Sequence, residues 1–396
     1  MSNRRGRGNR NKNNNNNIHI DNDALKNIII ILVLLIVLAV CVMGIIKLLQ
    51  KNEQSSNKEI VEERASTEEV FKSAVDELAE LENYKSDALI RFSAVGSILS
   101  GENMIDSGKP YNTIFDDVTQ YLNNTDFTLA TYETDAREEK QEFVKSIKKC
   151  GINYVSLAHN HALDYENEGL RETNDHLNSV GIETIGIEGG TSQDRVKIVE
   201  KKNVKIALLA YTYDNKKQGV NIYNEETTKA DLDYAEEMAD VSIVLMHWGD
   251  INTSEITDEQ EQQAKFLIDN GADVIIGAHP SVVQKMEIVK NSSGNDCLVA
   301  YSLGNLTSEL KEEKTKLGMI LNFQIFVGQD GKASLYKVDY TPTYMLDNGS
   351  EYTENRYKVL DAKFEITKYE AEDSDISKTL YNKIKEAVES LAKIVE

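Results

Sequence analysis

The chain has 396 residues, 44 Lys and Arg against 66 Asp and Glu, a formal net charge of −22, and 40% apolar residues. That is enough for one large domain or two ordinary ones, with a real hydrophobic core. A body this acidic excludes nonspecific nucleic-acid binding, and it would repel other polyanions unless cations bridge them. The charge is unevenly placed: residues 1–27 hold six basic and two acidic residues, a surplus of +4 that leaves the remainder at −26.

Residues 1–27 are basic and rich in Gly and Asn. They read as a disordered tail whose cations fix topology and touch anionic lipid head groups. Residues 28–46 form an uncharged apolar run of 19 residues, near the length that spans a bilayer as a helix. A signal peptide is the competing reading, but its apolar region would be shorter, and the following KLLQKNEQSS offers no small-x-small cleavage site. The expectation is a single-pass anchor in the cell membrane, with the basic N-terminus inside and the main domain extracellular. Residues 47–87 read as a stalk and a helix. The helix opens with a Ser66/Glu69 capping box and carries Val70, Ala74, Leu78 and Leu81 at helical spacing.

From Ala88 the texture changes. Apolar β-type runs at 88–96, 127–133, 152–160, 182–187, 205–213, 241–249, 273–280 and 298–305 alternate with helical patterns that include 136–150, 167–180, 228–239 and 257–271. This alternation predicts an α/β domain over 88–310 with a largely internal sheet. Residues 311–396 are expected to complete it. Runs 317–327 and 334–345 flank the turn GQDGKA and read as an antiparallel pair. Residues 376–395 place Leu380, Ile384, Val388, Leu391 and Ile394 on one helix face. Cys41 lies in the apolar run. Cys150 and Cys297 belong to no CxxC pattern and read as buried thiols, with their pairing open.

Most of the predicted strands end in residues that form strands poorly: Gly96-Ser97, Thr131-Tyr132-Glu133, His159-Asn160-His161, His247-Trp248-Gly249-Asp250, Gly277-Ala278-His279-Pro280 and Ser302-Leu303-Gly304-Asn305. In α/β sheets ligands bind beyond the carboxyl ends of strands. Four of the six histidines fall on three of these ends, which a metal site explains better than four separate structural roles. Imidazole with Asn and carboxylate oxygens, and no thiolate, suits a divalent ion such as Mn, Fe, Zn, Ni or Mg. Two ions about 3.5–4 Å apart can clamp a phosphoryl group.

The motifs AHNHALDYENEGLRET (158–173), HWGD (247–250), NGADVIIGAHPSVVQKMEI (270–288) and AYSLGNLTSE (300–309), in this order, resemble the CapA family of poly-γ-glutamate capsule biosynthesis proteins. The resemblance covers roughly 88–310, and the family's N-terminal anchor also matches. It implies a four-layer αββα sandwich of the calcineurin-like metallophosphatase type: two mixed sheets flanked by helices. It also implies a role in synthesis, export or anchoring of a cell-surface polymer. Partners would be the cytoplasmic membrane, polymer-synthase membrane subunits and an anionic polymer held through cations. Carried onto this chain, the metal ligands are Glu133, Asn160, His161, His247 and His279. The catalytic groups are His159, His161 and Asp164. The substrate pocket has Ser97, Trp248, Asp250, Ser281 and Asn305.

The departures bear on activity. Ser97 stands where the family's pattern has Asp, and Ser281 where it has His. Thr131-Tyr132-Glu133 replaces Asn-Leu-Glu, His159 replaces an Asn, and Ile251 replaces a Glu. The remaining donors fit one ion better than two, unless Glu102, Asp106 or Asp250 substitutes. Hydrolase or transferase and non-catalytic scaffold both stay open. Asp164 and Tyr165 either cap the next helix or hold His161 from behind. Trp248 is a pocket wall or core, and Gln284 would tie down loop backbone.

Overall fold

The computed structural model describes residues 88–101, 104, 111–134, 141–213, 218–328, 331–349 and 356–395. The expected tail, membrane anchor and stalk helix lie outside the described residues. Among those described, no helix is long and apolar enough to cross a membrane. Residues from Tyr84 onward form one compact unit.

That unit is a mixed α/β domain with two sheets and helices. In the first sheet β1 (Ala88–Ile98) is central. On one side of it run β2 (Phe127–Tyr132), β3 (Tyr154–Ser156) and β4 (Glu183–Ile185), all parallel. On the other side β12 (Leu317–Val327), β13 (Ala333–Asp347) and β14 (Tyr357–Asp361) continue antiparallel. A short strand, β11 (Asn305–Thr307), pairs with the end of β1. The second sheet has a parallel centre of β6 (Val204–Thr212), β7 (Val241–His247), β8 (Val274–Ala278) and β10 (Asp296–Ala300). Antiparallel edge strands β5 (Lys197–Lys201) and β9 (Met286–Lys290) close it.

The central strands read as unbroken apolar runs because both faces are covered. Alternate residues sort into two cores. Ile206, Leu208, Ala210, Ile243 and Leu245 share one core with Ile90, Phe92 and Leu129 of the first sheet. Ala207, Leu209, Val244 and Met246 face the other way. They pack on Leu232 and Ala235 of α5 (Glu225–Met238) and on Leu267 and Ile268 of α6 (Asp258–Asp269). Phe92 stacks on Phe127 of β2 and Phe323 of β12, with centroids 5.3 and 4.8 Å away. Such pairs add about 0.5–1.5 kcal/mol each beyond burial, so one ring fastens three strands.

Of the helices, α1 (Thr119–Leu122) and α2 (Gln141–Cys150) precede β3, α3 (Glu166–Ser179) follows it, and α4 (Ser192–Arg195) precedes β5. The C-terminal helices are α7 (Ala362–Glu370) and α8 (Lys378–Val395). Helix starts obey local chemistry: Asn224 accepts from Glu226 N and Thr227 N, and Thr257 with Gln260 forms a capping box. The β12–β13 hairpin and the terminal helix stand where the periodicity predicts them, whereas β5, β9, β14 and α7 were not anticipated. Cys150 and Cys297 are free and buried.

One half-buried carboxyl sets a pH-dependent expectation. Asp273, just before β8, accepts from Ser242 N at 2.8 Å. Burial, with Glu236 adding to it, pushes its carboxyl up to about 6 from 3.8 despite the Ser242 hydrogen bonds. A raised folded value means that this group's contribution is complete below about 4 and is lost as pH rises through about 6. Asp273→Asn keeps the acceptor and removes the ionisation. The urea midpoint at about pH 7.5, relative to that at about pH 4.5, should therefore be higher in Asp273→Asn than in the natural chain; an unchanged relation would contradict this.

Candidate functional site

The carboxyl ends of β1, β2, β3, β6, β7 and β8 deliver the site. Glu133 immediately follows β2, and its N–H donates to Ile98 O at 3.0 Å, pinning it beside the end of β1. Ser97 of β1 donates its N–H to Gly304 O at 3.0 Å. That approach needs Gly96: a Cβ there would lie 1.9 Å from Gly304 O. Asn305 pairs opposite Ser97. Its Nδ2 donates to Ser281 O and Thr315 O at 3.3 and 3.2 Å. His159 and Asn160 follow β3, and His247 is the last residue of β7. His279 follows β8 with φ of 99°, a left-handed backbone that costs a non-glycine residue about 1–3 kcal/mol and concentrates at functional sites.

These side chains converge. His247 Nε2 lies 3.5 Å from Glu133 Oε1, and its Nδ1 lies 3.3 Å from Thr212 Oγ1. Ring centroids are 6.0 Å apart for His159 and His247, and 4.6 Å for His247 and His279. All three rings are buried. Burial works against the Glu133 charge, but the His247 and His159 imidazoles and the Ser97 hydroxyl outweigh it and hold the carboxyl at about 2. Burial pushes His159 down to about 3 and His279 down to about 4. Both rings are therefore neutral at neutral pH and offer a lone pair.

Six buried polar atoms of this region have no hydrogen-bond partner: Ser97 Oγ, Glu133 Oε1, His159 Nδ1, Asn160 Oδ1, His247 Nε2 and Asn305 Oδ1. Protein interiors pair such atoms almost without exception. Five of the six are ligand-type atoms of carboxylate, amide or imidazole, the set that suits a divalent cation. Among the described residues, no group of three or more His, Cys, Asp or Glu is by itself a ready-made ion cage; the convergence includes amide oxygens.

His161 and Asp164 stand apart from this buried set. They are 59% and 57% exposed, with His161 Nδ1 2.8 Å from Asp164 Oδ2. With Glu133, His159, Thr134 and Tyr165 they line a pocket of about 260 Å³. The structure thus places His161 at the pocket rim, apart from the buried donors, with Asp164 as its carboxylate partner. Tyr165, the residue before α3, makes no side-chain cap.

Trp248 lies in the core, one of its two expected places. It is buried, donates Nε1–H to Tyr301 O at 2.8 Å and stacks on Tyr301, in the core that faces α5 and α6. Asp250 is exposed in the turn after β7, and Ser281 is partly exposed. Gln284 donates to Thr253 O and Glu255 O, tying down loop backbone. Glu102 and Asp106 lie outside the described residues.

Three residues escaped the motif reading. Thr212 backs His247, as given above. Tyr213 OH lies 3.0 Å from His279 Nε2. Asn221 is buried with both amide atoms unpartnered, its N–H on Gly186 O and its carbonyl receiving Thr212 N–H. The signal for the first two was Thr-Tyr closing β6, a polar strand end like those singled out.

An α/β domain with a polar His/Asn/Glu cluster at its strand ends defines the class. The chain belongs to the family described as bacterial capsule synthesis protein PGA_cap, whose model matches residues 91–309. It is similar to "Capsule biosynthesis protein CapA" of Bacillus anthracis, 26% identical over 275 residues, which are 61% of this chain and 65% of that one. It is also similar to "PGA biosynthesis protein CapA" of Bacillus subtilis (strain 168), 25% identical over 280 residues, 64% of this chain and 72% of that one. The chain thus spans about two thirds of the length of these relatives. A solved structure of a hypothetical protein from Thermus thermophilus is 14% identical with a TM-score of 0.43, covering 64% of this chain and 98% of that one.

Proposed function

We propose that this chain is a capsule-biosynthesis protein whose strand-end cluster binds one divalent cation, Mn, Fe, Zn or Mg. The observation that carries the cation reading is the set of six buried, unpartnered polar atoms around Glu133 and His247. The family and the names of the relatives support the capsule role. Two sheets with α5 and α6 on the outer face of one support a four-layer αββα arrangement of the calcineurin-like metallophosphatase type.

Glu133, His159, Asn160 and His247 would hold the cation. When bound, a divalent ion supplies Lewis-acid polarisation of a phosphoryl or acyl oxygen. The remaining work falls to the chain. Asp164 fixes the His161 ring so that its Nε2 can pass a proton at the pocket rim. Ser97 and Asn305 offer polar atoms to a substrate. A binding subunit without turnover is the second reading, favoured by a neutral Ser97 hydroxyl at the end of β1.

In this proposal residues 28–46 anchor the chain in the cell membrane, with the N-terminus inside and the domain extracellular, beside polymer-synthase membrane subunits. An anionic polymer such as poly-γ-glutamate would be met through cations, given a net charge of −22. The purified full chain, assayed for metal content and for turnover of a generic phosphodiester, tests both readings. One tightly held cation with cation-dependent turnover is expected. A cation without turnover selects the binding subunit, and failure to bind any of the four metals overturns the cation reading.

A further inference from the structure

We infer that His279 is not a cation ligand in this chain: its Nε2 is engaged by the Tyr213 phenol. This rests on the reading of the cluster as a cation site.

The imidazoles of His247 and His279 are neighbours, 4.6 Å apart between centroids, yet their nitrogens serve different groups. His247 Nε2 faces Glu133 Oε1 at 3.5 Å and has no hydrogen-bond partner. His279 Nε2 lies 3.0 Å from Tyr213 OH. Among the buried atoms without a partner are His159 Nδ1 and His247 Nε2, whereas His279 Nε2 is already satisfied. The Tyr213 ring lies 5.1 Å from His279 and 6.3 Å from His247, within 10° of parallel to the latter. The phenol is therefore packed against both imidazoles and is not a surface group swinging past.

The backbone holds His279 where Tyr213 can reach it. Its φ is 99°, and two residues earlier Gly277 approaches Tyr301 so closely that a Cβ would lie 1.9 Å from the Tyr301 carbonyl oxygen. On the far side Pro280 O accepts from Asn252 N at 2.8 Å. With the ring proton on Nδ1, Nε2 accepts and the phenol donates across these 3.0 Å.

Charge balance agrees. Among the described residues, Glu133 is the carboxylate of the buried cluster. Asp164, more than half exposed, is engaged with His161. Two dications against one buried carboxylate would leave a large uncompensated positive charge away from water. A neutral phenol satisfies His279 without adding any.

The test uses the full chain with Mn²⁺ alone as probe, read by calorimetry and metal content. A second readout, ¹⁵N chemical shifts of selectively labelled histidines, is taken on the metal-free chain. One equivalent is expected. His279→Ala should keep it with affinity changed less than about tenfold, against more than about 100-fold for His247→Ala. In the metal-free chain His279 should be the Nδ1–H tautomer with Nε2 accepting, a signature that Tyr213→Phe removes without altering the circular dichroism. Two equivalents in the natural chain, loss of the ion in folded His279→Ala, or identical His279 shifts with and without the phenol would each overturn the assignment. If no Mn²⁺ binds, the metal arm is repeated with Fe, Zn and Mg; binding of none of the four overturns the cation reading, and the nitrogen shifts still decide whether Tyr213 holds His279.

Discussion

Glu133→Gln is expected to weaken binding of a divalent cation by at least about 100-fold while leaving the chain folded. Glutamine preserves the shape and the Ile98 backbone bond, and it removes the carboxylate that, among the described residues, belongs to the buried cluster. His247→Ala should act on stability as well. It deletes the imidazole 3.5 Å from Glu133, leaving a buried carboxylate without its nearest partner, a loss of about 3–5 kcal/mol in comparable cases. Calorimetric affinity and urea unfolding of the metal-free chain measure both. The acid limb adds a check. Glu133 sits at about 2 in the fold against 4.5 ordinarily, so its contribution is present above about 4.5 and is lost as pH falls toward about 2. Glu133→Gln should show no such loss. Natural affinity in Glu133→Gln would remove Glu133 from the site.

His161→Ala has the second large expected effect, on turnover and not on loading. If the phosphodiester assay detects activity, kcat should fall by about 10²–10⁴, the usual worth of a positioned proton donor, with bound cation unchanged. The reason is placement: His161 is exposed at the rim and braced by Asp164 at 2.8 Å, outside the buried donor set. Asp164→Asn keeps the ring in place and alters its tautomer preference, so it should show a smaller loss and a shifted pH profile. Should folded His161→Ala release the ion instead, the division between buried donors and rim dyad is wrong.

Much of this was legible in the sequence because the central strands are apolar on both faces and stop abruptly at polar residues. β7 and β8 announce themselves by IVLM and VII, and His247 and His279 mark their ends. The edge strands were not legible: Lys197–Lys201 and Met286–Lys290 are half exposed and carry charges without an alternating pattern, so their pairing comes from their neighbours. Trp248 stayed open for a related reason. Next to a site histidine it reads as pocket wall or core, but one residue along a strand end reverses the face, and the ring lies on the helix side. The rim position of His161 was not legible, because sequence adjacency to Asn160 carries no information about burial; the turn after β3 separates them. Tyr213 was hidden by chemistry, since a tyrosine closing a strand is ordinary core material until its hydroxyl is seen against His279.

The pairing of β1 with β12 has a consequence for the order in which the protein can be made. Ala88 lies opposite Val327 and Ala94 opposite Leu321, so the first described strand finds one edge partner only after most of the domain has been synthesised. Contacts this distant in sequence close slowly, because loop entropy must be met before the pairing rewards it. Until then β1, which carries Ser97 and receives the Glu133 backbone, has one edge open to mispairing with other chains. Assembly of the site is thus tied to the arrival of residues well beyond every motif that composes it.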